Sequence, residues 1–416
     1  MKTVIMAGGK GTRISSIASD IPKPMIRIGG KPVLQLEIES LKKQGFVDFI
    51  ITISHLGYVI QDYFGDGSKF GVHIEYFNEV KPLGNAGALY ELKDKLTEDF
   101  LLINGDVLFE FDANRFVKYH EEKGGLVTLF THPNSHPYDS GLILADKDNC
   151  VHKWLSKEDE RPEFYKNRVN AGIHILSPKV LETRPDKEKV DLDRDVLKPL
   201  CDKGCMYAYD SSEYVKDMGT PERYAQVCED LLSGKTERRS LSHKQKAIFL
   251  DRDGTINKYV GFLRDIDQFE LTESAAEAIK AVNNSEYLAI VVTNQPVIAR
   301  GEVSFEQLDE IHMKMETLLG KQGAYIDGLY FCPHHPHSGF EGEVKELKID
   351  CDCRKPKPGM LLKAAEDFNI DLHASYMIGD SDNDMTAGSA AGCKCIRIDR
   401  DGDLLKAVNQ ALNQEI

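Results

Sequence analysis

No stretch of this sequence stays apolar for long. The longest runs, such as residues 288–292, fall far short of the roughly 20 residues a helix needs to cross a bilayer, so no membrane span is expected. Basic charge is not in excess either. The 52 Lys and Arg stand against 67 Asp and Glu, a formal net charge of −15, which disfavours a general nucleic-acid surface or an anionic-membrane surface. Any phosphate must then be held by local devices. There is no low-complexity tract and no short-period repeat, which excludes a solenoid. The start of the chain has one Lys and a short apolar run, residues 3–7, without the longer apolar region and cleavage site of a secretory signal, so a cytoplasmic location is expected. Nor does an even disulfide framework suggest itself. The nine Cys are an odd number, and five lie in or near C-x-C or C-x-H settings, which fits reduced thiols and a metal better. Cys150, Cys201, Cys205 and Cys228 read as buried or chemically quiet.

What is present is enough for packed cores. Hydrophobic residues make up 41% and charged residues 29% of 416 positions, and at about 100–200 residues per domain the length suggests two or three domains. One arrangement occurs twice: a strand-like apolar run followed at once by a polar or glycine-rich loop. Residues 2–6 lead into Ala7-Gly8-Gly9-Lys10-Gly11-Thr12-Arg13, and residues 247–250 into Asp251-Arg252-Asp253-Gly254-Thr255. Between the halves, residues 233–246 are polar, basic and almost free of apolar side chains, as a linker would be. The reading is therefore a domain over 1–232, a linker over 233–246 and a second domain over 247–416. Strand-like runs at 49–54, 100–103 and 126–130 alternate with helix-like segments such as 32–44. Later, strands at 288–293 and 375–378 alternate with helices at 274–283 and 359–368. The expected class is α/β, with two doubly wound, mainly parallel-sheet domains.

In the first half, Gly8, Gly9 and Gly11 with Thr12 let backbone N–H groups approach an anion closely, because glycine removes the Cβ and permits positive φ. The same loop also suits a plain tight turn, so its neighbours decide. Arg13 follows directly, and Lys23 sits in Pro22-Lys23-Pro24-Met25, where the prolines stiffen the segment that presents it. Residues 101–106 end an apolar strand with Asp106, at the edge where α/β sheets place ligand-binding groups. Asp217, before Met218-Gly219-Thr220-Pro221, is a second carboxylate placed to meet it, and two carboxylates with phosphate oxygens suit Mg2+.

This ordered set, together with Leu83-Gly84-Asn85-Ala86-Gly87 and Asn170-Ala171-Gly172, resembles the sugar-nucleotide pyrophosphorylases, the nucleotidyltransferases that join a nucleoside triphosphate to a sugar 1-phosphate. The resemblance implies in-line attack of the sugar phosphate on the α-phosphorus, with Mg2+ held by Asp106 and Asp217. It further implies that Arg13 and the loop amides steady the pyrophosphate and that Lys23 contacts the α-phosphate. Gly84 and Asn85 would lie against the base, and Asn170 to Gly172 against the sugar. One departure is Ser156-Lys157-Glu158, where relatives often carry Glu-Lys-Pro; Lys157 still fits a phosphate contact.

In the second half, Asp251 and Asp253 follow a hydrophobic strand and, two apart in extended backbone, point the same way. Such a pair suits a nucleophile that stays ionised and a partner, pushed up by its neighbour, that donates a proton. Thr293 and Asn294 end another strand, Arg354 and Lys355 offer cations, and residues 377–384 bring Asp380 and Asp384. The quartet resembles the haloacid-dehalogenase (HAD) phosphatases. That implies attack by Asp251 on phosphorus, Asp253 as acid and then base, phosphoryl contacts from Thr293 and Lys355, and Mg2+ on Asp251, Asp380 and the Asp253 carbonyl. For Asp384 both orientation of Lys355 or the metal shell and a helix-cap role stand open.

Cys332-Pro333-His334 and Cys351-Asp352-Cys353 form a C-x-H and C-x-C pair that can wrap one tetrahedral Zn2+, with His335 and His337 as rival ligands to His334. A closed set leaves no open position for water, so the zinc reads as structural, ordering the loop before Arg354 and Lys355. The clip and Arg354-Lys355-Pro356 resemble the heptose 1,7-bisphosphate phosphatases, with histidinol-phosphate phosphatases close behind. The pairing of halves implies removal of the 7-phosphate from D-glycero-D-manno-heptose 1,7-bisphosphate and transfer of GMP from GTP to the heptose 1-phosphate, giving GDP-heptose for surface glycans. A uridylyl- or thymidylyltransferase fused to another phosphatase is the alternative. The expected partners are thus GTP and sugar phosphates, with no nucleic acid and no membrane, and a second copy of the chain is left open.

Overall fold

The computed structural model describes residues 1–9 and 21–413. Gly11, Thr12 and Arg13 lie outside the described residues. The chain forms two compact units. The first comprises Met1–His132, Gly141–Ser156 and Val169–Ser240; the second comprises Pro133–Ser140, Lys157–Arg168 and Leu241–Ile416. Two short segments that the sequence groups with the first domain therefore pack with the second unit. The stretch read as a linker holds the one-turn helix Lys235–Arg238, with Thr236 buried, and a strand begins at Lys246.

The first unit is built on a nine-stranded sheet. Its parallel part runs His73–Asn78, Asp48–Ile53, Lys2–Met6, Phe100–Asn104, and beyond Phe100–Asn104 the sheet turns antiparallel through Val169–Leu176. Side chains of a strand alternate between faces, and the core divides accordingly. Ile5, Leu101 and Ile103 pack with Leu34, Ile38 and Leu41 of the helix Val33–Lys43 and with Phe116 of Ala113–Lys123. Val4, Phe100 and Leu102 face the other way, toward Leu89, Val190 and Leu197.

In the second unit five strands, all parallel, run in the order Gly328–Cys332, Tyr287–Asn294, Lys246–Leu250, Tyr376–Gly379, Lys394–Arg397. Their near-continuous apolar runs are what a sheet covered on both faces requires. Ile248 and Leu250 face the helices Ala275–Asn284, Phe305–Lys321 and Leu404–Asn413. Ala247 and Phe249 face Gly359–Asp367 and Asp382–Ala391. Among the described residues no helix is long and apolar enough to cross a membrane.

Candidate active sites

The first site forms where the parallel strands of the nine-stranded sheet end. Lys2–Met6 delivers Gly8 and Gly9, and its neighbour Phe100–Asn104 delivers Asp106, so that these residues with Lys23, Gly84 and Asn85 line a cavity of about 610 Å3. The chain then turns back into Val107–Glu110, which pairs antiparallel with Tyr214–Asp217, Asp217 standing opposite Val107. The Met218 N–H donates to the Asp106 carbonyl at 3.2 Å. Register alone thus brings the two aspartates onto adjoining segments.

Each aspartate already faces a cation. Lys23, on the turn Lys23–Met25, forms an ion pair with Asp106. Arg223 donates to both Asp217 oxygens at 2.8 and 3.0 Å, and the Gly219 N–H adds a bond of 2.7 Å. Burial alone would raise the Asp217 carboxyl, but the guanidinium and the amide outweigh it and hold it below the usual carboxylate range. Sequence reasoning passed over Arg223, although the Thr220-Pro221 helix start three residues earlier fixes its position on the first turn. It also passed over Glu79, which lines the cavity and whose carboxyl burial raises.

Gly84 has φ +84°, and a Cβ there would lie 2.3 Å from the Val190 carbonyl oxygen, so only glycine fits. Asn85 spends its side-chain oxygen on the Leu192 N–H at 2.7 Å, which ties the loop to the chain behind it. Asn170 accepts from the Gly172 N–H at 3.2 Å. Gly172, at φ +74°, leaves room for Asn104, which lines the cavity. Lys157 does not join this group: it is exposed beside Glu158, in a segment of the second unit.

The second site lies at the carboxyl ends of the five-stranded sheet. Its central strand delivers Asp251, and the strands on either side deliver Thr293 with Asn294 and Asp380. These residues, with Asp253, Arg354 and Lys355, line a cavity of about 230 Å3. Carboxylate oxygens of Asp251, Asp380 and Asp384 all lie within 4.8 Å of one another. Lys355 is buried among them, its Nζ 2.8 Å from Asp251, 2.6 Å from Asp384 and donating to the Val292 carbonyl at 2.8 Å. Asn294 fixes the Lys355 backbone through both its N–H and its carbonyl. Gly254, at φ +79°, leaves space that a Cβ would fill only 2.8 Å from Asp380. The two readings of Asp384 both hold, since Oδ2 accepts from Ser381 at the helix start while Oδ1 faces Lys355.

The two carboxylates of the pair sit in different surroundings. In the structure burial pushes Asp251 up to about 7, Lys355 opposing and Asp384 adding to the shift. Asp253 instead meets the fully buried Arg252 guanidinium through both oxygens, at 2.9 and 3.0 Å, and Gln295 at 2.8 Å. Neither Arg252 nor Gln295 was singled out as a site residue from its neighbours in sequence.

Ligand atoms of Cys332, His334, Cys351 and Cys353 also lie within 4.8 Å of one another. Sγ of Cys351 is 3.5 Å from Cys332 and 3.2 Å from Cys353, and His334 Nδ1 is 3.3 Å from the Cys353 sulfur. Three thiols and an imidazole at these separations fit a closed tetrahedral zinc set. His335 turns instead to the His337 backbone and the Phe340 ring. Arg354 donates to the His334 carbonyl at 3.1 Å, linking the clip to the cavity wall.

Comparison with known proteins follows the same division. Residues 2–234 match the family described as nucleotidyl transferase, and residues 352–408 one described as HAD-hydrolase-like. A D-glycero-beta-D-manno-heptose-1,7-bisphosphate 7-phosphatase of Pasteurella multocida is 46% identical over 150 residues, 36% of this chain and 79% of that protein. A UTP–glucose-1-phosphate uridylyltransferase of Synechocystis is 34% identical over 248 residues, 56% of this chain and 64% of that protein. Solved structures of HddC from Yersinia pseudotuberculosis, one of them complexed with GMP-PN, are 30% and 29% identical. Each matches 55% of this chain and 99% of its own, with TM-scores of 0.49 and 0.48. Enzymes of both kinds generally use a divalent metal such as Mg2+. Through residues 2–234 the chain belongs to the nucleotidyl transferase family, and it joins to that domain a phosphatase of the HAD type, so the protein is an enzyme with two catalytic domains.

Proposed function

We propose that the protein removes the 7-phosphate from D-glycero-D-manno-heptose 1,7-bisphosphate and joins the resulting heptose 1-phosphate to GMP from GTP, giving GDP-heptose for surface glycans. The observation that carries the reading is the second cavity: Asp251, Lys355 and Asp380 converge beside the four-ligand clip, in the part of the chain related to a heptose-bisphosphate phosphatase.

In that pocket Asp251 Oδ attacks phosphorus, and the bond from phosphorus to the sugar oxygen breaks. Asp253 gives that oxygen a proton, then takes one from the water that hydrolyses the aspartyl phosphate. Asp253 must leave the Arg252 fork to do so, because both of its oxygens are engaged there. Thr293, Asn294 and Lys355 hold the phosphoryl oxygens, and Arg354 extends the grip outward. Asp251, Asp380 and the Asp253 carbonyl are the group suited to Mg2+, joined by Asp384.

In the first pocket Asp106 and Asp217 are the residues that would hold Mg2+, which when bound there or in the phosphatase site would supply charge neutralisation for phosphate oxygens. Lys23 passes from Asp106 to the α-phosphate. The sugar phosphate oxygen attacks the α-phosphorus while the bond to pyrophosphate breaks, with the amides after Gly8 and, in our reading, Arg13 steadying the leaving group. Gly84 and Asn85 bound the base side, and Asn170 and Gly172 the sugar side. Cys332, His334, Cys351 and Cys353 suit Zn2+, whose role is to order the loop that presents Arg354 and Lys355. We place the enzyme in the cytoplasm, where nucleoside triphosphates are supplied.

The uridylyltransferase relative favours a second reading, with UTP in place of GTP. Mass analysis of products from the heptose bisphosphate with each of four nucleoside triphosphates separates the two: GDP-heptose supports the proposal, UDP-heptose the second reading, and no nucleotide sugar with any base refutes both.

A further inference from the structure

The phosphatase cavity is lined by a second arginine that the reaction leaves without a task. Arg400 follows the edge strand Lys394–Arg397 and reaches back over the mouth, where its guanidinium stacks on the Tyr259 ring, 3.8 Å from the ring centre. Its Nε donates to Asp380 Oδ2 at 2.9 Å. Nε is its only hydrogen-bonded nitrogen among the described residues, and the side chain is 54% exposed while Asp380 is 5% exposed. The guanidinium is therefore held at Nε and across one face, and among the described residues its terminal nitrogens donate no hydrogen bond. A planar fork fixed in this way is suited to bind an oxyanion in two-point fashion. Neighbouring Phe262, also in the cavity wall, is backed by Arg300 at 3.9 Å, so the loop bearing Tyr259 and Phe262 is anchored by stacking at both ends.

We propose that Arg400 is a specificity-determining residue which takes the second, uncleaved phosphate of the substrate while the first sits on Asp251 and Lys355. The inference rests on the bisphosphate reading above. A monophosphate engages only the inner cluster with Arg354; a bisphosphate engages in addition Arg400, the cation of the cavity wall that the cleaved phosphate does not use.

The test uses the full chain with Mg2+ and compares kcat/KM for heptose 1,7-bisphosphate and for p-nitrophenyl phosphate in the wild type, R400A and R400K. Because both substrates share Asp380, any damage that R400A does to that carboxylate cancels in the ratio. One lost charge-assisted contact is worth roughly a 10- to 100-fold fall in the bisphosphate-to-monophosphate ratio, expressed mainly as a higher KM, with R400K recovering part of it. A parallel fall on both substrates, or an unchanged ratio, overturns the assignment of Arg400 alone, since it then only holds Asp380 or does nothing. A wild type that shows no preference for the bisphosphate overturns the substrate reading itself, and Arg400 with it.

Discussion

Asp251→Asn separates the two activities. The carboxylate is buried, lies 2.8 Å from Lys355 Nζ and shares that lysine with Asp384. An amide of the same shape keeps the packing but cannot form the aspartyl phosphate, and removal of a nucleophile from a preorganised site costs about 10^4- to 10^6-fold in kcat. Phosphate release should fall by that order, while nucleotidyl transfer from supplied heptose 1-phosphate continues at the wild-type rate. Folding should not suffer. Burial and the neighbouring Asp384 raise the Asp251 carboxyl to about 7, so its ionised form is held at a cost in the metal-free protein. The sign is that of a raised acid: stability is greatest below the unfolded value near 4 and declines as pH rises toward 7. The amide removes that decline, so a thermal melt without Mg2+ at pH 7–8 should show a midpoint at or above wild type. Phosphate release within tenfold of wild type, or joint loss of both activities in a folded variant, would refute the reasoning.

Asp106→Asn should cut pyrophosphate release by about a hundredfold or more, as loss of a charge-stabilising group does, and leave phosphate release intact; retained pyrophosphate release would exclude a metal role for Asp106. Gly84→Ala forces a Cβ against Val190 at positive φ, a strain of about 1–3 kcal/mol that should appear as a lower melting midpoint and a higher KM for the triphosphate. A zinc-selective chelator, or His334→Ala, should abolish phosphate release before pyrophosphate release, whereas His335→Ala should spare bound zinc measured by atomic absorption. Burial raises the Asp193 carboxyl to about 6, Asp191 adding and Lys198 opposing, so stability on its account is lost between about pH 4 and 6 and Asp193→Asn should gain about 1–3 kcal/mol at pH 7; denaturant unfolding at pH 4 and pH 7 checks that the gain vanishes in acid.

Much of this was legible in the residues because both sites sit at strand ends. An apolar run followed by Gly8 or by Asp251 announces a sheet edge, and the topology of parallel sheets does the rest. The Cys and His clip was legible because thiolate spacing is itself geometric, although only the structure shows that His334 is the histidine gathered with the three sulfurs. What could not be read depends on contacts distant in sequence. Arg252 meets His312, sixty positions away, at 3.1 Å, and nothing local marks it as the group that grips Asp253. Lys157 carries a motif-like neighbourhood, but its segment, 157–168, belongs to the second unit. A motif fixes local chemistry and not the path of the loop that bears it.

The same electrostatic device recurs in both pockets. Each carboxylate suited to a metal is already opposed by a cation: Asp106 by Lys23, Asp217 by Arg223, Asp251 and Asp384 by Lys355, Asp380 by Arg400. Without those partners, clustered carboxylates would repel one another in a poorly solvated cleft, and the free enzyme would lose stability. If a divalent ion were bound, these carboxylates would hold it and the opposing cations would be released to phosphate oxygens, so that the local charge would stay close to balanced. The cations differ in exposure: Lys355, pinned by Asn294 and Val292, is buried, whereas Arg223 and Arg400, about a third and about half exposed, are open to solvent. On this argument the partly exposed cations shape affinity, and the buried lysine sets the rate.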